Sequence, residues 1–463
     1  MSPDRPINAD VPASDEPKAA PPAAEKAVEK ADPKPGTAKA KAPAPPKAPK
    51  PKRERRPIPG ALKGIAALVL VAIVFIVAAV LGGSGGGKDD SEPAAPAPTP
   101  AVTSDEEPPE GGSSASAEEL GYPAFATGNT TRVGGPDPVS NAAGVALAVF
   151  PSTTPAQRPA AVTLVDEDDP AGAIAAAVLM AEPLRAPLLI SGQDLPEPSA
   201  EAFAALDPQG SKKTGGANAF AIGPVATPDG ATVAAVKVGT TPAATAAAIA
   251  AQRDRLFGSP PAHIVVAPGD DLALALPAAA WAARSGDPVL FTEGAKLPAA
   301  TVAALKRHPK VPVYVLGPSS AISSETLRAI AKVGGEVRRV SGEDPVANAI
   351  AFARYADGNF GWNVNDPGHG FVLARSDAPL NAAAAAPLSA SGTWGPLLLS
   401  DSATSLPASL REYFLDVKPG YTTNPTRAFY NHVWVIGDQE AIDVNQQAEV
   451  NELAELAKIG GAE

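Results

Sequence analysis

Cysteine is absent from the 463-residue chain. Its absence excludes a disulfide framework and a thiolate metal site, so the stability of the fold must come from packing. Histidine is scarce, and none of the four histidines forms an H-E-x-x-H motif or another close pair of the kind that binds zinc; they are His263, His308, His369 and His432. No G-x-S-x-G turn between a strand and a helix is present either. These absences favour a protein that is not an enzyme, with no catalytic residue, metal site or cofactor.

Basic residues are sparse in the C-terminal part of the chain. Residues 1–81 hold 14 of the 38 Lys and Arg and 8 of the 50 Asp and Glu, a net charge of +6. This leaves 24 basic and 42 acidic groups, a net charge of −18, for the remainder. Binding of nucleic acid needs a basic face that replaces counterions, so no nucleic acid is expected as a partner of this part.

Only one uncharged apolar run is long enough to cross a membrane, and it lies between Ile65 and Leu81. Counted from Ala61, it spans about 32 Å at roughly 1.5 Å per residue, close to the thickness of a bilayer's hydrocarbon core. Seven Lys and Arg lie between Lys41 and Arg56, whereas the 40 residues after the run contain only Lys88. The positive-inside rule therefore predicts a single transmembrane helix at 61–81, with the N-terminus in the cytoplasm and the C-terminal part outside it. A cleaved signal peptide is the alternative, but about 60 residues precede the run and no clean A-x-A site follows it.

The segments on either side of this run are of low complexity. Residues 1–60 are rich in Pro, Ala and Lys and have too little apolar surface to offset the entropy of ordering, which predicts a disordered cytoplasmic tail. Residues 82–125 are rich in Gly, Pro, Ser and Glu and are predicted to be a flexible acidic stalk.

After the stalk, the chain repeats itself three times. Each copy has an apolar run, an aspartate six residues after the start of that run, an alanine-rich helical stretch and a second apolar run. The first runs begin at Val162, Ile264 and Phe371, the aspartates are Asp168, Asp270 and Asp377, and the second runs read APLLIS, DPVLFT and GPLLLS. A Leu-Pro pair that opens a helix and a third strand with an aligned glycine follow in each copy; these glycines are Gly223, Gly317 and Gly437.

A further shared segment precedes each copy. It reads RVGGPDP from Arg132, KVGTTP from Lys237 and RVSGEDP from Arg339, so that the second copy lacks the acidic residue found at Asp137 and Asp344. Short apolar runs that alternate with helical stretches predict βα units, whose strands lie parallel because each crossover carries a helix. We therefore predict an α/β fold of three tandem, similar repeat domains with mainly parallel sheets: repeat 1 at 126–236, repeat 2 at 237–338, repeat 3 at 339–447 and a C-terminal tail at 448–463.

This arrangement resembles the bacterial cell wall binding repeat 2 family. The resemblance rests on the RVxGxDP entry, the strand-Asp-helix step, the PLLLS strand, the Leu-Pro helix and the V-x-V-x-G strand, and it covers about residues 126–447. Three copies are usual in that family. The resemblance implies three similar α/β domains around a pseudo-threefold axis that attach a surface protein to anionic wall polymers. Members often carry a separate effector region, and none is visible here.

Candidate binding residues come from the repeat and from one inserted loop. Asp168, Asp270 and Asp377 lie where a strand ends and a helix begins, the edge at which open parallel sheets bind ligands. The same carboxylates also suit a helix cap, which is a purely structural role. Trp362 lies in the polar insertion at 357–368 and is a candidate for stacking on sugars, whereas Trp281 and Trp434 fit apolar patterns typical of a core.

The sequence thus predicts a non-enzymatic protein of the cell envelope that is anchored in the membrane. Its expected partners are a cell-wall glycopolymer, or another envelope component, and the membrane through one helix. A scaffold that recruits proteins through its tail and repeats is the alternative. A hydrolase of wall polysaccharide is a further one, because the members of a Ser-His-Asp triad need only be close in space.

Overall fold

The structure, a computed structural model, describes residues 125–391 and 395–459. The predicted cytoplasmic tail, the helix at 61–81 and the stalk up to residue 124 lie outside the described residues. Within these residues, no helix has both the length and the apolar character needed to span a bilayer.

The described elements alternate between strands and helices as predicted. The strands are β1 (Phe125–Ala126), β2 (Thr130–Val133), β3 (Val162–Asp166), β4 (Leu188–Ser191), β5 (Ala219–Ile222), β6 (Val233–Val236), β7 (Ile264–Pro268), β8 (Val289–Thr292), β9 (Val313–Leu316), β10 (Val337–Val340), β11 (Gly370–Arg375), β12 (Leu397–Ser400), β13 (Gly420–Tyr421), β14 (His432–Ile436) and β15 (Ala457–Lys458). The α-helices are α1 (Pro138–Val149), α2 (Pro170–Ala176), α3 (Glu197–Leu206), α4 (Pro242–Phe257), α5 (Leu272–Ser285), α6 (Ala299–Arg307), α7 (Ser324–Ala331), α8 (Pro345–Arg354), α9 (Pro379–Ala384), α10 (Ala386–Ala390), α11 (Ala408–Asp416) and α12 (Val444–Ala454). Short 3-10 turns lie at Pro155–Gln157, Ala177–Met180 and Pro425–Arg427.

The described residues form three larger sheets that share the same order of four strands, and this confirms the predicted α/β class. The first sheet is β4-β3-β5-β6, the second is β8-β7-β9-β10, and the third is β12-β11-β14-β2-β1. All neighbours in these sheets run parallel except β1, which is antiparallel to β2. The inner strands are buried at nearly every position, as expected for strands that helices cover on both faces.

Strand β2, near the start of the described residues, belongs to the third sheet. β2 pairs with β14, with Thr130 opposite Val433 and Val133 opposite Ile436. Sheet membership therefore cuts across the sequence repeats: the fourth strand of each sheet, β6, β10 or β2, lies at or near the boundary between two copies and directly precedes the next linking helix.

Three linking helices join the sheets into a closed ring. Helix α1 leaves the third sheet and packs on β4 and α3 of the first. Helix α4 leaves the first sheet and packs on β8 and α6 of the second, and α8 leaves the second and packs on β12 and α11 of the third. The pairing of β2 with β14 is thus the contact that closes the ring.

The inner helices of the three units meet in a hub. We define the hub as α2 with its 3-10 extension, α5, and the pair α9 and α10, which all contact one another. Every residue of α5 from Leu274 to Ala283 is buried, and most of them are alanine. The small alanine side chains therefore allow these helices, which are covered on every side, to pack closely together.

Three details differ from the sequence interpretation. Strand β6 ends at Val236, the position that corresponds to Val133 and Val340 in the other sheets, so Lys237 lies outside the strand and does not correspond to Arg132. Residues 448–459, expected to be a tail, complete helix α12 and form β15, which pairs with β13. The first unit has a loop between β5 and β6, where the others have α7 and α12.

The junction between β2 and β14, which closes the ring, contains a histidine that makes stability depend on pH. Burial lowers the pKa of His432, whose Nε2 lies 3.1 Å from the Thr131 hydroxyl. Below the pKa of about 6.5 of an unfolded histidine, the unfolded chain binds more protons than the folded one, so stability is full above that pH and decreases as the pH falls through the window below it. We expect His432→Gln to be less sensitive to acid than the unaltered chain when urea unfolding is compared between pH 7.5 and pH 5. An identical pH dependence of the two proteins would contradict this.

Candidate functional site

The three repeated aspartates lie at the carboxyl ends of their sheets, one residue before the helix cap. The cap positions of α2, α5 and α9 are Asp169, Asp271 and Ala378, not the predicted aspartates. Of these caps, Asp169 accepts the Gly172 amide through its side chain, and burial raises its pKa. The prediction that Asp168, Asp270 and Asp377 cap these helices is therefore wrong by one residue, because each helix begins at the second residue after the aspartate.

All three aspartates are exposed, and their contacts differ. The carboxylate of Asp168 has no hydrogen-bond or ion-pair partner among the described residues. Asp270 accepts the Gly294 amide at 3.2 Å. Asp377 accepts from Nε and Nη2 of Arg375 at 3.0 and 2.7 Å, and this bidentate hydrogen bond lowers the pKa of the Asp377 carboxyl. Of the three carboxylates at the repeated position, one thus has no partner among the described residues, one accepts a single backbone amide and one is paired with an arginine.

Tertiary structure brings two of them together. A cleft of about 500 Å³ between the first and third units, here called the first cleft, is lined by Asp168, Asp377, Glu167 and Asn381. It lies beside the first residues of α1, α2 and α9, which are Pro138, Pro170 and Pro379.

Asp270 lies in a separate cleft, here called the second cleft, of about 390 Å³. Its lining includes Asp271, Glu343, Asp344 and the loop serines Ser320 and Ser323. Among the described residues no Lys or Arg lines it, so it favours neutral, hydroxyl-bearing groups that donate hydrogen bonds to carboxylates, and it repels anions at long range. The described residues contain no cluster of three or more His, Asp or Glu that could hold a metal ion.

The entry aspartates are helix caps. Asp137 accepts the Ser140 amide at the start of α1, and Asp344 accepts the Ala347 amide at the start of α8. In the second copy Thr241 accepts the Ala244 amide at the start of α4 in the same way. The missing acidic residue therefore removes no cap, because a threonine hydroxyl fills the same role.

Trp362 is not an exposed platform. Its ring is half-buried and meets Trp281 edge-on with 5.5 Å between ring centroids, and its indole nitrogen is buried and has no hydrogen-bond partner among the described residues. The insertion folds back onto the second unit, where Phe360 stacks on Tyr314. This packing favours a structural role for Trp362. Trp281 itself is 4% exposed, which confirms its predicted place in the core.

Sequence reasoning missed a pair of exposed aromatic residues. Phe429 and Tyr430 lie in the insertion at 418–431 that was predicted only as a surface loop. Two adjacent aromatics within an otherwise polar insertion were the available signal.

Three parallel sheets, joined in a ring by linking helices around an alanine-rich hub, define the class: a three-unit α/β repeat protein. Residues 238–327, which contain Asp270, match the family Cell wall binding domain 2 (CWB2). This is the family that the sequence pattern resembled, so the predicted resemblance is confirmed for this segment.

Solved structures support the same fold. Cwp8 from Clostridium difficile has a TM-score of 0.52 at 20% sequence identity, over 70% of this chain and 52% of its own. Cwp6 from Clostridium difficile has a TM-score of 0.56 at 18% identity, over 70% of this chain and 47% of its own. The chain thus spans about half the length of each, and at these identities the similarity concerns the fold alone. No curated protein sequence matches the chain.

Proposed function

We propose that this chain is a non-enzymatic protein of the cell envelope that binds a cell-wall glycopolymer through its three α/β repeats. The observation that carries the proposal is the match of residues 238–327 to a cell wall binding domain, together with the second cleft, most of whose lining residues lie in that matched segment. The three repeat ranges 126–236, 237–338 and 339–447 are part of the proposal.

The two clefts have the chemistry to hold a sugar chain. A saccharide presents many hydroxyl donors, and the carboxylates of Asp168 and Asp270 are exposed acceptors at the rims of open clefts. Asp377 offers less, because Arg375 already occupies both of its oxygens. We rank Asp270 first as a binding residue, because it lies in the segment that matches the family, and Asp168 second.

Membrane anchoring is the other half of the proposal. The apolar run at 61–81 and the basic residues before it support a single-pass anchor with the repeats outside the cytoplasm. Such a protein would tether the membrane to the wall, since one end inserts in the bilayer and the other binds the polymer.

Co-sedimentation of the full-length chain, kept in detergent, with purified cell-wall sacculi tests the binding. We expect the protein to pellet with intact sacculi and to lose this binding once the attached polymers are removed chemically. Failure to pellet with either preparation would overturn the proposed function.

Asp270→Asn is expected to weaken the binding to intact sacculi about tenfold, because an amide is a poorer acceptor for sugar hydroxyls than a carboxylate. The exposed site should leave the free energy of unfolding within about 0.5 kcal/mol of the unaltered chain. Asp229→Asn, in an exposed turn before β6, is the matched control and should bind normally. Equal affinities of the two variants would remove Asp270 from the site.

A further inference from the structure

The third unit carries an inserted loop with unusual surface chemistry. We define the aromatic loop as residues 418–431. Within it, Phe429 leaves 69% and Tyr430 leaves 56% of its surface exposed. Among the large apolar side chains of the described residues that are exposed, these two are the aromatic ones. Adjacent exposed aromatics are costly to leave in water and commonly mark a binding surface.

The loop is held in a defined conformation by its own hydrogen bonds. Asn424 caps the 3-10 turn by accepting the Thr426 amide at 3.0 Å, and the Tyr430 hydroxyl donates to the Pro425 carbonyl at 3.1 Å. The side chain of Asn431 is 2% exposed, donates to the Val417 carbonyl and accepts the Gly368 amide. The aromatic rings are therefore presented by a pre-ordered loop, which lowers the entropic cost of binding.

A cleft of about 340 Å³ lies in the same loop, and Ala428, which directly precedes Phe429 in the sequence, lines it. Its lining combines hydroxyl and amide groups with apolar surface, and includes Tyr421, Thr422, Thr423, Asn424 and Ile459. This mixture suits a ligand that has both hydroxyl groups and apolar ring faces.

The aromatic loop is also basic, whereas the C-terminal part of the chain as a whole is acidic. Between Asp416 and Asp438 the sequence has no carboxylate, but it has Lys418 and Arg427. Arg427 lines the cleft, is exposed, and forms no ion pair within the part of the chain that the structure describes. A guanidinium in this state attracts an acidic group and can bind it through two hydrogen bonds.

We propose that the aromatic loop is a second saccharide site, separate from the two acidic clefts, and that it binds a chain of sugar rings bearing acidic groups. Ring faces pack on Phe429 and Tyr430, the hydroxyls bond to the threonines and Asn424, and Arg427 pairs with the acidic group. The site deepens the proposed function, since it rests on a wall glycan as its ligand. The acidic clefts and the basic loop then bind different parts of the polymer.

The test is calorimetric titration of the full-length chain, in detergent, with two soluble probes. One probe is glycan strands released from sacculi by muramidase, and the other is the acidic polymer released from sacculi chemically. We expect the double variant Phe429→Ala with Tyr430→Ala to bind one of them at least about tenfold more weakly than the unaltered chain. The probe affected identifies the source of the sugar. Leu415→Ala, an exposed apolar position outside the cleft, is the control and should bind both probes normally.

Arg427→Gln tests the contribution of the charge to binding apart from that of the aromatic rings. It should weaken binding several-fold at low salt and less at high salt, because salt screens an exposed charge pair. The factor lost in the double variant should be the same when Asp270→Asn is also present, since the sites are separate. Normal binding of both probes by the double variant, while the unaltered chain pellets with sacculi, would overturn the loop site and leave the proposed function standing. Binding of neither probe by the unaltered chain would overturn the loop site, and failure to pellet with sacculi as well would overturn the proposed function.

Discussion

Replacing Arg132 with alanine is expected to lower the free energy of unfolding by about 3 to 5 kcal/mol. The side chain is 2% exposed, and its guanidinium donates to Gln447 and to the carbonyls of Gly437, Asp438 and Ile442. Burial lowers the pKa of Arg132, an effect that the nearby carboxylates of Asp438 and Asp443 oppose. Alanine would remove the charge and leave these three carbonyls without their donor. Leaving buried acceptors unpaired costs more than replacing both partners by apolar groups.

The effect should be large because Arg132 lies on the strand that closes the ring. The matched control is Arg339→Ala on β10, where the guanidinium donates to the equivalent carbonyls of Gly317 and Ile322 but is half-buried. We expect a cost of about 1 to 3 kcal/mol there, since water can reach the groups left behind. Urea unfolding followed by tryptophan fluorescence measures both. Equal losses in the two variants would show that ring closure contributes nothing beyond the local hydrogen bonds.

Ala279→Leu in the hub is expected to destabilise the fold by about 1 to 3 kcal/mol, or to shift the inner helices apart. Ala279 is completely buried in α5, which has buried residues on every side. The added carbon atoms therefore have no free direction, and the neighbouring helices must move.

Ala303→Leu is the control for this substitution. Ala303 lies in α6 and is exposed, so the same change of side chain should alter the free energy of unfolding by no more than about 0.5 kcal/mol. Thermal unfolding of the two variants under one set of conditions makes the comparison. A hub variant as stable as the surface variant would mean that the inner helices are less closely packed than the burial of α5 indicates.

The repeated units were readable from the sequence because their signals are local. Short apolar runs such as LLIS and VLFT, each preceded by an alanine-rich stretch and followed by a Leu-Pro pair, predicted the strands and helices and the parallel α/β class. The burial of Trp281 followed from the same periodicity. The burial of Trp362 did not, because its loop reads as polar and the ring is covered by residues of the neighbouring unit.

The candidate site was only partly readable. The strand-to-helix position of Asp168, Asp270 and Asp377 was predictable, since the residue pattern fixes where each strand ends. The cap position was missed by one residue, because the length of the turn depends on backbone angles that composition does not determine. The aromatic loop was visible as an insertion, but the exposure of Phe429 and Tyr430 depends on which surfaces the rest of the unit covers.

By itself, the sequence determined the elements, their threefold repetition, the acidic balance of the C-terminal part and the absence of a thiolate or disulfide site. Tertiary structure alone decided that β2 joins the third sheet, that α1, α4 and α8 close a ring, and that Asp168 and Asp377 share a cleft while Asp270 lies apart. The physical reason is the distance in sequence between the residues that make contact. Local patterns arise from the backbone geometry of neighbouring residues, whereas the pairing of Thr130 with Val433 joins strands near opposite ends of the folded region, and no local pattern encodes such a contact.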